Sequence, residues 1–593
     1  MTHRQETGAR KFLAAALLAL LCLSPAAHAE SNSSAASRPL LPAPIWVYNN
    51  WSAYDELSDH VPLNETLAMR ELREIVRLRR SGVRFDYYTM DAFWFDPDGG
   101  YRKWRAESWP HGPEPWIAAV EANGMKPGLW FSTNTLGQIN PAPAWRSSLN
   151  TNGTAMAFYT GGFLADFMDA LQFWYGRGIR VFKFDFADFD VAARGDESRL
   201  SPAEIRSRNM HAFHAALQSF RRRNPDVILV AFNGFVDNVE SARAPMKQSY
   251  VYWLDVFDSL YSGDPRPSNV PETSFWRSVD IYSDHMVRRF ASGGVPLSRI
   301  DSTSFMIGDT ATNYHRGAKA WQGSLLLMVA HGGWINTVHG NLEFLDDDQA
   351  RWFAKLQAMY APLQQAGITK SFGDIPADRR PYGFGSLGAD GALYLAVNPS
   401  QSIETVALPL LAPRQKPVSG GRVLFRDAGF EPALDGDAVR LGPGQLVLIG
   451  FGRYADPAYE LGIQMDVLIP KSIVRLPARF TMDGDAAIET TIIPPKSGDL
   501  RVVMRQRDGD NAIIRSVSRA NMAKVFVIAA VQGGQSLPVE IHYDKVVWSG
   551  LGWAVGEIRH ANITPGEPLR IRIVTTDPDP SLHLDGWLYQ VKY

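Results

Sequence analysis

Val181-Phe182-Lys183-Phe184-Asp185-Phe186-Ala187-Asp188 is a strand-like run that sets a lysine and a carboxylate inside an apolar stretch. Residues i and i+2 of a strand share a face, so Lys183 and Asp185 are expected to point one way and Phe182, Phe184 and Phe186 the other. An ionised carboxylate buried among aromatic rings is costly unless paired, and Lys183 is the partner at hand. A structural ion pair would meet that demand, and so would a reactive site. The rest of the chain decides between them.

On both sides of this run, short apolar segments alternate with amphipathic helical ones, the texture of a parallel α/β sheet. Upstream, strands are expected at Ile45 to Asn49, Val83 to Met90 and Lys126 to Ser132, with helices at Leu67 to Arg80, around Trp116 to Ala122 and at Phe163 to Tyr175. Downstream, Ser201-Pro202-Ala203-Glu204 is a capping box with proline at the first helical position, and its helix should run to Arg223. Val227 to Phe232 reads as a fifth strand, Tyr250 to Ser259 as a sixth, Arg299 to Ile307 as a seventh and Trp334 to His339 as an eighth. Helices are expected at Phe275 to Ala291, Ala320 to Ala330 and Gln349 to Leu363. Eight such units make a closed (β/α)8 TIM barrel over residues 45–366. Beyond Gly367 short alternating strands separated by Gly, Pro and Asp predict two all-β sandwich domains, 367–454 and 455–593.

At 593 residues the chain has room for these three units, and its net charge of -2 supplies no basic field for nucleic acid. Residues 1–29 carry Arg4, Arg10 and Lys11, an apolar run from Phe12 to Leu23, and Ala27-His28-Ala29, which reads as a secretory signal peptide cleaved before Glu30. The single cysteine, Cys22, lies inside it, preceded by Leu21 rather than the small residue of a lipoprotein signal. Residues 30–44, rich in Ser, Ala and Pro, form a flexible leader. A bacterial periplasmic or secreted protein without disulfides or a membrane span is expected. No metal or cofactor is expected: His331 and His339 lack ligand spacing, and Asp508-Gly509-Asp510-Asn511 lacks the rest of a calcium loop.

Function in such a barrel collects at the C-terminal ends of the strands. There the sequence places Asn49-Asn50-Trp51, Asp91 and Trp94, Trp130, Lys183 with Asp185, Asn233-Gly234, Ser262-Gly263-Asp264, and His339 with Asn341. Indoles, amides and carboxylates at one mouth suit a sugar ring, which is stacked upon and hydrogen-bonded. Glycosidic cleavage needs two carboxyl groups, one at the anomeric carbon and one to protonate the leaving oxygen. Asp185 is the candidate nucleophile, with Lys183 beside it to keep it ionised, and Asp264 on the loop leaving strand six is the candidate acid/base. An oligosaccharide or polysaccharide is the expected partner. Oligomeric state is not readable. Trp548, Trp553 and Trp587 in the last unit could stack on a glycan, but core packing is the preferred reading.

These residues resemble the α-galactosidase clan of retaining glycoside hydrolases, most nearly glycoside hydrolase family 36 and its relative family 27. Asn49-Asn50-Trp51 resembles the opening of the family barrel and Met90-Asp91-Ala92-Phe93-Trp94-Phe95 its Asp-Asp-Gly-Trp-Phe segment. Lys126-Pro127-Gly128-Leu129-Trp130-Phe131 is similar to its Lys-x-Gly-Leu-Trp-Phe strand, and Phe182-Lys183-Phe184-Asp185 to the Lys-x-Asp strand that carries its nucleophile. The resemblance implies that Lys183 contacts ring hydroxyls, that Asp91 binds the outer hydroxyls, and that Trp51, Trp94 and Trp130 shape the pocket. Ala92 stands where the family has a second aspartate, and Phe232-Asn233-Gly234 replaces its Cys-containing segment, which bears on recognition at the 2-position. The expectation is therefore an α-galactosidase-like exo-glycosidase working by double displacement. The alternatives are a clan member for another pyranoside (an α-N-acetylgalactosaminide, a β-L-arabinopyranoside or an α-glucan) and a non-catalytic glycan-binding barrel. Asp280, in Trp276-Arg277-Ser278-Val279-Asp280, resembles the family 27 acid segment and is the alternative acid/base.

Overall fold

The computed structural model describes residues 41–593 except 52, 54–62, 236–249, 264–276, 303–305, 309–318, 414, 416–419, 485–486, 509–525, 545–551 and 576–581. The expected signal peptide and Asp264 lie outside the described residues. Nine parallel strands form one sheet: β1 (Ile45–Asn49), β2 (Tyr87–Met90), β3 (Lys126–Ser132), β4 (Val181–Asp185), β5 (Ile228–Ala231), β6 (Ser259–Tyr261), β7 (Ile300–Asp301), β8 (Met306–Ile307) and β9 (Ile335–Gly340). Their spatial order, β7-β6-β5-β4-β3-β2-β1-β9-β8, begins and ends within the expected seventh strand, which is split in two. β7 follows β6 and β8 follows β9, so this strand is the seam at which the (β/α)8 barrel closes.

The helices follow from their capping and stripes. In α1 (Glu65–Arg80), Asn64 caps the Leu67 N–H, and Leu67, Ala68, Leu72, Ile75 and Leu78 turn inward. Then come α2 (Glu114–Ala122), α3 (Phe163–Tyr175) and α4 (Pro202–Arg223), the last opened by the Ser201–Glu204 capping box. α5 (Ser278–Ser292), α6 (Trp321–Ala330) and α7 (Asp347–Ala366) complete the ring, α7 starting with a box between Asp346 and Gln349. Among the described residues no helix is long and apolar enough to cross a membrane.

The expected sixth strand, Tyr250 to Ser259, is corrected: Tyr250–Trp253 is a 3₁₀ turn, and the strand is Ser259–Tyr261. The stretch has β-favouring composition, but Tyr252 and Trp253 both pack on His214 of α4, with ring centroids at 4.7 and 5.9 Å. Adjacent residues of a strand would point to opposite faces. A helical turn lets them share one.

The first all-β unit is a six-stranded sheet facing a three-stranded one. One face of the large sheet meets the small sheet through Phe372, Tyr394, Val406, Val439, Val447 and Ile449. Its other face joins the barrel core through Phe384, Leu393, Leu395, Phe425 and Leu448. Gly462–Ile469 pairs in parallel with Arg422–Gly429 in this sheet, so the first unit extends past the expected end at 454 and the second begins near Ser472. This pairing is long-range and leaves no local trace in the sequence. The last unit is two five-stranded antiparallel sheets around Leu500, Val502, Met504, Ile571, Ile573 and Leu588. There Trp587 packs on Ile473, Val503, Val555, Tyr589 and Val591, and the Arg505 guanidinium lies 5.4 Å from its ring centre. Trp548 and the side chain of Trp553 fall outside the described residues.

Candidate active site

The barrel interior is layered. Ile45, Val47, Val181, Ile228, Val230 and Ile335 fill its lower part with apolar side chains. Asn49, Thr89, Lys183, Asp301 and Thr337 form a polar layer about a small cavity above them. The mouth follows. β4 alternates as its sequence requires: Phe182 and Phe184 turn outward to Phe220 and Phe213 of α4, at 5.5 and 5.9 Å, while Lys183 and Asp185 turn inward. Phe186 departs from the expected alternation. The strand ends at Asp185, Phe186 takes φ +51°, and its ring stands edge-on to Trp130 at 5.7 Å.

Asp185, 7% exposed, is gripped by N–H groups from three strands. Its Oδ2 accepts from Trp130 Nε1 at 3.0 Å, and its Oδ1 accepts from the backbone of Phe186 at 2.9 Å and of Asn233 at 3.1 Å. Lys183 does not take the partner expected from the i, i+2 spacing. Its Nζ binds Asp91 Oδ2 of the β2 end at 2.7 Å. The same ammonium lies 4.0 Å from the centre of the Phe232 ring and 5.9 Å from that of Trp51. Asp91 is fixed in turn, since its Oδ1 accepts from Ala92 N and its own N–H donates to Asn50 Oδ1, both at 2.8 Å. β1, β2, β3, β4 and β5 thus meet at one point.

Asn233 enters through its backbone, with a half-buried side chain. Gly234 next to it has φ +99°, and a Cβ there would lie 1.8 Å from the Ala187 carbonyl oxygen. Only glycine lets the end of β5 lie this close to the turn after Asp185. Trp51 is half-buried and edge-on to His339 at 5.8 Å. Trp130 is buried and acts on Asp185 through its indole N–H.

Two expected residues are placed elsewhere. Trp94 is wholly buried, donates Nε1–H to the Trp130 carbonyl at 2.7 Å and packs against Phe131 and Trp174. It braces β3 from behind, and its half-buried neighbour Phe93 stands edge-on to Trp130 at 5.3 Å instead. Asp280 lies in the first turn of α5 without exposure, bound to Arg277 at 3.1 Å and accepting from Ser324 Oγ at 2.7 Å. Arg277 also grips Asp427 of the first β unit at 2.9 and 3.0 Å, which ties Asp280 to a domain interface.

Asp301 was missed. It sits in β7 with its Oδ2 accepting from Thr337 Oγ1 at 2.8 Å. Burial pushes its carboxyl up to about 7, against the Thr337 hydrogen bond and the Lys183 charge. The signal that singled out β4, a charge inside an apolar strand, was present here too.

No protein-family model and no curated protein matches the sequence. Solved structures do share its fold. The structure is similar to the α-galactosidase from Lactobacillus brevis, with TM-score 0.50 and 12% identity over 70% of this chain and 55% of that one. The family 36 α-galactosidase of Geobacillus stearothermophilus gives TM-score 0.49 at 12% identity over 70% and 56% of the two chains. α-Galactosidase I from Mortierella vinacea gives 0.44 at 13% identity over 71% and 98%. The match thus spans about half the length of the two bacterial chains, 55% and 56%. What the chain shares with the Lactobacillus brevis protein is the fold, over 55% of that chain.

Proposed function

We propose that this chain is a glycoside hydrolase that cleaves terminal α-linked sugars with retention, by double displacement. The observation that carries this reading is the setting of Asp185: at the C-terminal end of β4, oriented by three N–H groups, beside the Lys183–Asp91 pair and the rings of Trp51 and Phe232. Neutral N–H donors orient a carboxylate while leaving its charge on it. Asp185 attacks the anomeric carbon, the glycosidic bond breaks, and the leaving oxygen takes a proton from the acid, for which Asp264 is the first candidate. That residue then removes a proton from water as water displaces Asp185 from the sugar. Lys183 and Asp91 hold sugar hydroxyls. The sugar is α-galactoside-like, with Ala92 leaving room for a different pyranoside. Export through the N-terminal leader belongs to the same reading, and the secreted protein should begin at Glu30 when its N-terminus is sequenced.

A panel of chromogenic α- and β-glycosides tests the activity, and NMR of the first-formed anomer tests retention. Asp185→Ala should lose at least about 10³-fold in kcat on the best substrate with its thermal transition kept. Full turnover by that variant would sink the assignment. Sugar binding without any hydrolysis by the unaltered protein would favour a glycan-binding barrel instead.

A further inference from the structure

Among the described residues, the polar layer beneath the mouth contains two buried side-chain oxygens without a hydrogen-bond partner, Asp301 Oδ1 and Thr89 Oγ1. Asp301 and Thr89 line one cavity of about 10 Å³ with Lys183, Asn49 and Thr337, and the side chains of Val47, Val181, Val230, Phe232 and Ile335 make up the rest of its mostly apolar wall. The Lys183 ammonium and the Asp301 carboxyl border this same space. Asp91 holds that same ammonium from the mouth side, at 2.7 Å.

We infer that Asp301 is a positioning residue for the sugar site: across this cavity it sets how far the Lys183 ammonium is drawn away from Asp91 and the substrate hydroxyls. The inference rests on the proposed sugar-binding role of Lys183 and Asp91. Its consequence is a pH dependence. With its carboxyl pushed up to about 7, Asp301 is neutral below that pH and an anion above it. While it is neutral, the ammonium is held toward the mouth, where Asp91 binds it. Once it ionises, Lys183 lies between two carboxylates and is pulled down into the barrel, so its grip on the substrate weakens as pH rises.

The titratable groups facing this layer are Lys183 and Asp185 from β4, Asp91 from β2, Tyr261 from β6 and His339 from β9. Asn49 of β1, Thr89 of β2, Val230 of β5 and Thr337 of β9 carry no charge. Arg299, just before β7, donates to the carbonyls of Leu254 and Asp258. Of the charges named, Lys183 is the one that acts on Asp301, lowering its pKa.

The test is kcat/KM against pH on the most reactive dinitrophenyl glycoside, whose leaving group needs little acid assistance, so the limb of the general acid is suppressed. The unaltered enzyme should lose about tenfold as pH rises through 7, mostly in KM, the size expected for weakening one charge-assisted hydrogen bond. Asp301→Asn, which mimics the neutral carboxyl, should be flat across that range. Thr337→Val removes a hydrogen bond that lowers the Asp301 pKa and should move the limb to higher pH, which a merely structural role would not do. An unchanged limb in both variants would overturn the inference while leaving the glycosidase reading intact. Absence of turnover on every glycoside would remove that reading and the inference with it.

Discussion

Two buried clusters each set a cation among carboxylates, and they are built in opposite ways. At the interface between the barrel and the first β unit, Arg277 binds both Asp280 and Asp427 directly. Every contact there adds saturation: Asp427 also accepts from Gln464 Nε2 and Leu446 N, both at 2.8 Å, and Asp280 from Ser324. Burial would lower the Arg277 pKa, but the carboxylates of Asp427 and Asp280 raise it, so the guanidinium stays charged. In the barrel mouth Lys183 binds Asp91, while Asp185 is gripped by neutral N–H groups and remains 7% exposed. A cation cancels a carboxylate's charge, whereas neutral donors only aim it. The same kinds of group make a fastening in one place and, in the proposed site, an aimed carboxylate in the other.

The largest effect that separates the two is on stability. Removing one partner of a buried ion pair typically costs about 3–5 kcal/mol, because the charge left behind is uncompensated. Asp427→Ala should therefore lower the thermal transition markedly, while the kcat of the folded fraction on a chromogenic glycoside stays unchanged. Replacing Arg277, Asp280 and Asp427 together by apolar residues of similar volume should recover most of that loss. If Asp427→Ala instead abolished turnover in a protein that remained folded, the interface cluster would belong to the chemistry and the contrast would fail.

The parts of this architecture that were legible in the sequence are those written in short-range periodicity. β1, β3 and α3 have the expected bounds, and the Ser201–Glu204 box opens α4, because alternation and 3.6-residue stripes need only neighbouring residues to be read. Placing Asp185 at the end of β4 followed from the same rule. What escaped was decided between segments. Lys183 reaches across the barrel to Asp91, 92 residues away, where the local rule offered Asp185. Gly462–Ile469 joins the first β unit by pairing with a strand about 40 residues upstream. The split of the seventh strand reflects which neighbour each half follows, and Tyr250–Trp253 coils because two adjacent rings meet one histidine. Asp301 was readable in kind but was absorbed into the expected seventh strand, Arg299 to Ile307.

A smaller and more selective change sharpens the contrast from the other side. Trp130→Phe keeps an aromatic ring beside Phe93 and Phe186, deletes the Nε1–H donor to Asp185 and leaves a small gap where the larger indole was buried. A hydrogen bond to a charged group contributes about 1.5–3 kcal/mol, equivalent to roughly 10–100-fold in rate if it is realised in the transition state. Phe186 N and Asn233 N remain on Oδ1, so the carboxylate keeps its place but can rotate about those two contacts. The expected outcome is a fall in kcat of that order with KM little moved and a modest drop in the thermal transition from the lost indole volume. Covalent labelling by an activated fluoroglycoside, followed by intact mass, should slow in parallel, because the lost hydrogen bond aims the attacking oxygen. Loss of stability without loss of kcat would mean that the N–H grip on Asp185 only holds the strands together, as the guanidinium does at the interface.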